Sequence, residues 1–138
     1  MLRSTLLVLI LSCIIFSQDS STPLEKSPFP LEASLISLKT HETEQLAVSI
    51  SFYNDSPRLI KGFTGLVQFI VKGEIVSEVM LEITKDLPPE ENTLWYGAIP
   101  YDASNPQEVL LTQESVDDIE VHVVVKAIVN ANGVQKVY

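Results

Sequence analysis

Residues 46–53 read Leu-Ala-Val-Ser-Ile-Ser-Phe-Tyr, and this stretch decides the fold class of the chain. Its large apolar side chains occupy every second position with mostly small or polar residues between them, which is the period of a β-strand with one buried face. Four consecutive turn formers, Asn54-Asp55-Ser56-Pro57, end the stretch. A strand of this kind needs a second layer to cover its apolar face.

Similar β-rich runs lie on both sides of this strand. The 138-residue chain contains about seven short strands separated by turn residues and almost no helix, which predicts one all-β domain, an antiparallel β-sandwich over residues 33–138. Segment 102–118 has helical features, because Asn105 can cap a helix and Pro106 suits its first position, and we expect at most a short turn of helix there. The other six predicted strands are 34–39, 59–71, 75–84, 93–101, 119–129 and 134–138.

Short turns and glycines predict how the strands are connected. Lys72-Gly73-Glu74 predicts a hairpin between the third and fourth strands, and the Asn132-Gly133 tip predicts another between the last two. Gly62 and Gly65 predict a bulge or sharp bend in the third strand. Pro100 lacks a backbone donor, so its strand is expected near a sheet edge.

Several of these turn and core motifs occur together in a known family. The chain carries Phe52-Tyr53-Asn54-Asp55-Ser56, then Ile60-Lys61-Gly62-Phe63-Thr64-Gly65, a Trp-Tyr-Gly strand at 95–97, and an Asp-Ile-x-Val strand followed by Ala131-Asn132-Gly133. This succession resembles small immunoglobulin-like β-sandwich domains of exported bacterial proteins, over residues 33–138. The resemblance implies an immunoglobulin-like sandwich in the cell envelope, and it brings no catalytic residues with it. The paired core cysteines of antibody-type domains are absent from the sequence.

Residues 1–17 have the layout of a secretory signal peptide. Arg3 supplies a positive start, and an apolar run of eleven residues, Leu6–Phe16, precedes small or polar residues. Such a run is short for a membrane span, which needs about 20 residues. We therefore expect an exported protein, periplasmic or secreted. Residues 18–32 contain three prolines among polar and charged residues, which predicts an extended tether.

Two ways of processing the signal peptide remain open. Cleavage after Ser17 would discard Cys13 with the signal and leave a soluble chain. Alternatively, Ile10-Leu11-Ser12-Cys13 resembles a bacterial lipobox, in which Cys13 would be lipidated and would anchor the protein to the membrane. We expect a membrane contact only in the second case.

Composition excludes some classes of function. The chain has 9 Lys and Arg against 18 Asp and Glu, a formal net charge of −9, and it has no basic cluster. Nucleic-acid binding draws much of its free energy from basic residues, so no nucleic-acid partner is expected. Cys13 is the only cysteine, and the residues after it therefore cannot form an intrachain disulfide or a cysteine-ligated metal site.

The remaining polar residues do not form a recognisable catalytic or metal-binding motif. His41 lies in a polar loop, and His122 lies in a strand where a surface position is expected. Ser115, His122 and Asp117 could be written as a triad, but no Gly-x-Ser-x-Gly elbow is present. The densest acidic cluster lacks the spacing of a calcium loop. Its members are Glu114, Asp117, Asp118 and Glu120. We expect no enzyme activity, no metal and no cofactor.

The aromatic residues supply the candidate contact surface. Trp95 and Tyr96 are consecutive in a strand, so one should face the core and the other solvent, and Tyr101 follows nearby. An exposed aromatic side chain could anchor a partner. The sequence therefore favours a non-catalytic module that binds an envelope protein or ligand through loops or an edge strand. The alternative is an assembly subunit that self-associates through a sheet edge, and an envelope hydrolase ranks third.

Overall fold

The computed structural model describes residues 24–138, which form an antiparallel β-sandwich of seven strands, as predicted. The helix α1 spans Pro106–Gln113, and a 3-10 turn at Val116–Asp118 leads into the sixth strand. The strands are β1 (Leu31–Thr40), β2 (Gln45–Asn54), β3 (Ile60–Val71), β4 (Glu74–Ile83), β5 (Asn92–Pro100), β6 (Ile119–Asn130) and β7 (Gln135–Val137).

The strands are divided between two antiparallel sheets. The three-stranded sheet has the order β1-β2-β5, and the four-stranded sheet has the order β4-β3-β6-β7. β5 lies at a sheet edge, as Pro100 predicts, and both predicted hairpins, β3–β4 and β6–β7, are present. This architecture is compatible with an immunoglobulin-like fold.

The core lies between the two sheets. In β2 the four alternating apolar residues Leu46, Val48, Ile50 and Phe52 are all 2% exposed or less, which confirms the face predicted from their spacing. The ring of Phe52 meets the ring of Phe63 in β3 edge to face, with centroids 5.1 Å apart. Since β2 and β3 belong to different sheets, this aromatic pair joins the two layers.

Gly62 and Gly65 mark irregular positions in β3, as predicted. The pairing of β3 with β6 shifts register between Ile60 and Gly62 and again between Thr64 and Gly65. A side chain at Gly62 would collide with the backbone carbonyl of Ile83. The glycine therefore allows β3 and β4 to approach closely at this bulge.

The domain begins earlier in the chain than expected. β1 starts at Leu31, and Phe29 and Leu31 are buried in the core, although residues 18–32 were expected to form a tether. Ser27 also contacts the sheet, since its hydroxyl accepts a hydrogen bond from the backbone N–H of Val125 at 3.1 Å. The flanking prolines hide a period-two pattern that already runs through Phe29, Leu31 and Ala33. The predicted signal peptide, Cys13 and residues 18–23 lie outside the described residues.

The connection from β5 to β6 contains more helix than predicted. Instead of a single turn, α1 has eight residues, although it is capped as expected: the Asn105 side chain accepts a hydrogen bond from the N–H of Gln107 at 3.0 Å, and Pro106 follows it. Leu111 on this helix is 2% exposed. No helix within residues 24–138 is long and apolar enough to cross a membrane.

Candidate functional site

The three aromatic residues of the predicted contact surface have different surroundings. Tyr96 is 69% exposed on the outer face of β5. Trp95 faces the other way and packs against the core, with its indole ring over Gly97. Tyr101 is half-buried and also packs against the core. Of the three, Tyr96 is therefore the side chain most available to a partner.

The two histidines also lie apart from each other in the fold. His41 is exposed in the β1–β2 loop. His122, in β6, is half-buried, and its Nε2 atom lies 2.8 Å from the carbonyl oxygen of Glu25, so this ring nitrogen donates the hydrogen bond. None of the hydrogen bonds of the described residues joins His122 to Ser115 or Asp117. The triad written from the sequence is thus not connected in the structure.

One member of the acidic cluster after α1 pairs with a lysine. Glu114 forms a salt bridge of 3.7 Å with Lys72, in the β3–β4 turn. Asp117 and Asp118 are exposed in the 3-10 turn, and Glu120 is exposed at the start of β6. Within residues 24–138, no three His, Cys, Asp or Glu side chains are arranged to hold a metal ion.

A cleft at one end of the sandwich has the dimensions of a ligand site. Its volume is about 560 Å³, within the range of roughly 300 to 1,000 Å³ that is usual for small-ligand pockets. The β2–β3 loop, the β6–β7 hairpin and the segment before β1 converge here. We call it the loop-end cleft; its lining residues are Phe29, Arg58, Leu59, Ile60, Ile128, Asn130, Ala131, Asn132, Lys136 and Tyr138.

A buried asparagine holds the first wall of the cleft. Asn54 is fully buried at the end of β2, and its Nδ2 donates to the carbonyl oxygens of Arg58 at 2.8 Å and Leu87 at 3.0 Å. Its Oδ1 accepts from the N–H of Ser56 at 3.1 Å and from the Ser56 hydroxyl at 2.7 Å. One side chain thus ties the β2–β3 loop to the β4–β5 loop. The backbone that carries Arg58 is preorganised by these bonds.

The second wall is the β6–β7 hairpin. The N–H of Asn130 donates to the carbonyl oxygen of Val134 at 2.8 Å, and the N–H of Gly133 donates to that of Asn130 at 2.9 Å. Gly133 has φ of 82°, a left-handed conformation that favours glycine. The predicted Asn-Gly tip therefore forms a tight turn, and this turn places Lys136 opposite Ile128.

The charge of the loop-end cleft is opposite to that of the chain. Arg58 and Lys136 line it, and no Asp or Glu from the described residues does so. Neither cation forms a salt bridge with any residue of 24–138. Lys136 Nζ lies 5.0 Å from the centroid of the Tyr138 ring, within the distance of a cation–π interaction.

The hairpin beside the cleft exposes apolar side chains. Val134 is 56% exposed, Val137 72% and Tyr138 41%, and together they make up three of the seven large hydrophobic residues exposed in residues 24–138. Of the three, only Tyr138 lines the cleft, and Val137 faces the side of the sheet opposite to Lys136, because consecutive residues of a strand alternate in direction.

Sequence reasoning located the turns of this site but not the site itself. Residues 54–57 and the Asn132-Gly133 tip were predicted as turns, and both border the cleft. The sequence gives no local signal that Arg58 and Lys136 line one cavity, because Arg58 lies in the β2–β3 loop and Lys136 in β7, and these segments meet only through the sandwich topology.

A scan against protein-family models finds no matching family, and searches of curated proteins and of solved structures find no significant match.

Proposed function

We propose that this chain is a non-catalytic binding module of the bacterial cell envelope, with an immunoglobulin-like fold, and that the loop-end cleft holds its partner. The observation that carries the proposal is the cleft itself: a cavity of about 560 Å³ between two loops whose backbones are fixed by hydrogen bonds. Preorganised loops on a rigid scaffold are a common means of recognition, since little entropy is lost when a partner binds.

The envelope location is proposed from the sequence. A positive start, an eleven-residue apolar run and small residues after it are the features of an export signal.

Site-directed photocrosslinking tests this proposal. We would replace Asn132, at the cleft, with p-benzoylphenylalanine and irradiate cells that export the protein. Gln113, exposed on α1, serves as the control position. We expect a discrete adduct from position 132 that is missing at position 113, and mass spectrometry would identify its partner.

Binding must then be reproduced with the purified partner. Ala131→Trp would fill the cleft from the exposed hairpin tip, and Gln113→Trp is the matched control. We expect Ala131→Trp to abolish binding and Gln113→Trp to leave it unchanged. Equal binding by the two variants would refute the cleft as the contact site.

A second candidate function, assembly through a sheet edge, is favoured by β7. This strand has three residues, forms the edge of the four-stranded sheet and exposes Val137. An open edge of this kind can pair with a copy of itself. Sedimentation velocity at high protein concentration distinguishes the two candidates, since only the second requires a dimer or larger assembly.

A further inference from the structure

We infer that the loop-end cleft binds a carboxylate of a partner polypeptide together with an adjoining apolar side chain. This inference rests on the proposed function, because it assigns a ligand class to the same cleft.

Charge supplies the first part of the argument. The chain has 18 acidic and 9 basic residues. The loop-end cleft differs from this overall composition, because Arg58 and Lys136 line it and no Asp or Glu of the described part does. The two cations come from opposite walls, and neither is neutralised by an ion pair within residues 24–138. The guanidinium group of an arginine and the ammonium group of a lysine both bind carboxylates. The rest of the surface is acidic, which disfavours the binding of anions outside the cleft.

The floor of the cleft supplies the second part. Phe29, Ile60 and Ile128 line it, and each is buried to more than nine tenths. Leu59 and Tyr138 extend this apolar surface to the rim, where Leu59 is half-buried and Tyr138 is exposed. An apolar side chain placed here would lose its contact with water while a charge beside it reached the cations.

Among the strands of residues 24–138, none pairs with the outer edge of β7, and this open edge favours a polypeptide over a lipid. Hydrogen bonds join Asn130 to Val134 and Lys126 to Tyr138, so Val134, Lys136 and Tyr138 direct their backbone groups toward β6. In an antiparallel ladder the backbone N–H and C=O groups of the intervening residues point away from the paired strand. Gln135 and Val137 therefore present N–H and C=O groups along the open edge next to the cleft, where an extended peptide could add a strand.

Chemical-shift titration of the purified ¹⁵N-labelled protein tests the ligand class. The probes are N-acetyl-Leu-Phe with a free terminal carboxylate, N-acetyl-Glu-Phe-amide with a side-chain carboxylate, and N-acetyl-Leu-Phe-amide with none. We expect a carboxylate probe to shift the amides of Ile60, Ile128 and Lys136, with affinity about 10-fold above that of the neutral amide, since a charge-assisted hydrogen bond is worth about that factor. The stronger of the two carboxylate probes identifies the source of the charge.

Charge-removing variants provide the matched controls. Arg58→Gln and Lys136→Gln should each weaken binding of the carboxylate probe about 10-fold and leave the neutral amide unaffected. Lys39→Gln, an exposed lysine on β1 that does not line the cleft, should change neither.

Three outcomes would overturn the inference. Equal affinity for carboxylate and amide probes would show that charge does not contribute to binding, although the cleft would still be a binding site. No shift in the cleft residues with any probe would refute the ligand class, and crosslinking at Asn132 would then judge the proposed function independently. Tighter binding of decanoate than of either carboxylate peptide would reassign the cleft to a lipid.

Discussion

The indole ring of Trp95 covers Gly97, two residues further along β5, so closely that a β-carbon at Gly97 would overlap the six-membered ring. Both residues lie on the inner face of the three-stranded sheet, where Trp95 pairs with Ile50 and Gly97 with Val48. The Trp-Tyr-Gly sequence therefore has a packing reason. The glycine makes room for the tryptophan, and Tyr96 between them is left on the solvent side.

Gly97→Ala should displace the Trp95 ring and destabilise the domain by about 1–3 kcal/mol, the usual cost of inserting a methyl group into a packed site. Trp95 is the only tryptophan, so its fluorescence reports both the shift in environment and the denaturant midpoint. Ala98→Val, on the exposed outer face, is the control and should change stability by less than about 0.5 kcal/mol. An unshifted emission spectrum in Gly97→Ala would contradict the stacking.

Asn54→Ala should destabilise the domain by about 3 kcal/mol, because it removes a fully buried amide that donates to the carbonyl oxygens of Arg58 and Leu87 and accepts two hydrogen bonds from Ser56. Hydrogen exchange should accelerate in the β2–β3 loop, since the side chain that fixes it is gone. Asn92→Ala removes a surface amide whose oxygen accepts from Ser51 at 3.2 Å, and it should cost little. Similar losses in both variants would mean that Asn54 does not organise the loop.

Phe29→Ala should destabilise the domain by about 3 kcal/mol, within the range for a buried phenylalanine. Pro28→Ala, at the exposed neighbouring position, should be close to neutral. Chemical denaturation measures both. If Phe29→Ala were neutral, the segment before β1 would behave as the tether that its prolines suggest, and the domain would begin at β1.

The hydrogen bonds of Asp102 predict a local pH dependence. Its carboxylate accepts from the Ser104 hydroxyl at 2.6 Å and from the Ser104 N–H at 2.9 Å, and these bonds hold the pKa of Asp102 below its ordinary value. Because the pKa of Asp102 is lower in the folded state than in the unfolded state, its ionised carboxylate stabilises the turn at pH values above the unfolded-state pKa. This stabilisation is lost as the pH falls through the folded-state pKa. Ser104→Ala should therefore raise the pKa, measured by NMR titration of the carboxyl carbon. Ser34→Ala, the control, should leave the pKa of Asp102 unchanged.

The success of sequence reasoning follows the range of the interactions involved. Strand β2 was predictable because its one buried face imposes period two on consecutive residues. Helix α1 was underestimated because its apolar residues, Val109, Leu110 and Leu111, are consecutive and lack helical spacing. The cleft was not predictable, since its two cations, Arg58 and Lys136, come from segments far apart in the sequence and neither residue stands out among its neighbours in the chain.

The way in which the N-terminus is processed determines whether the module is free or anchored to the membrane. Expressed in a bacterial host with its own first 32 residues, the protein should have an intact mass beginning at Gln18 and should be recovered in the soluble fraction, because Leu11 fits a lipobox poorly. Cys13→Ser should then change neither mass nor partition. A mass beginning at acylated Cys13, with the protein in the membrane fraction and released by Cys13→Ser, would contradict this expectation. The loop-end cleft would then have to meet its partner at the membrane surface.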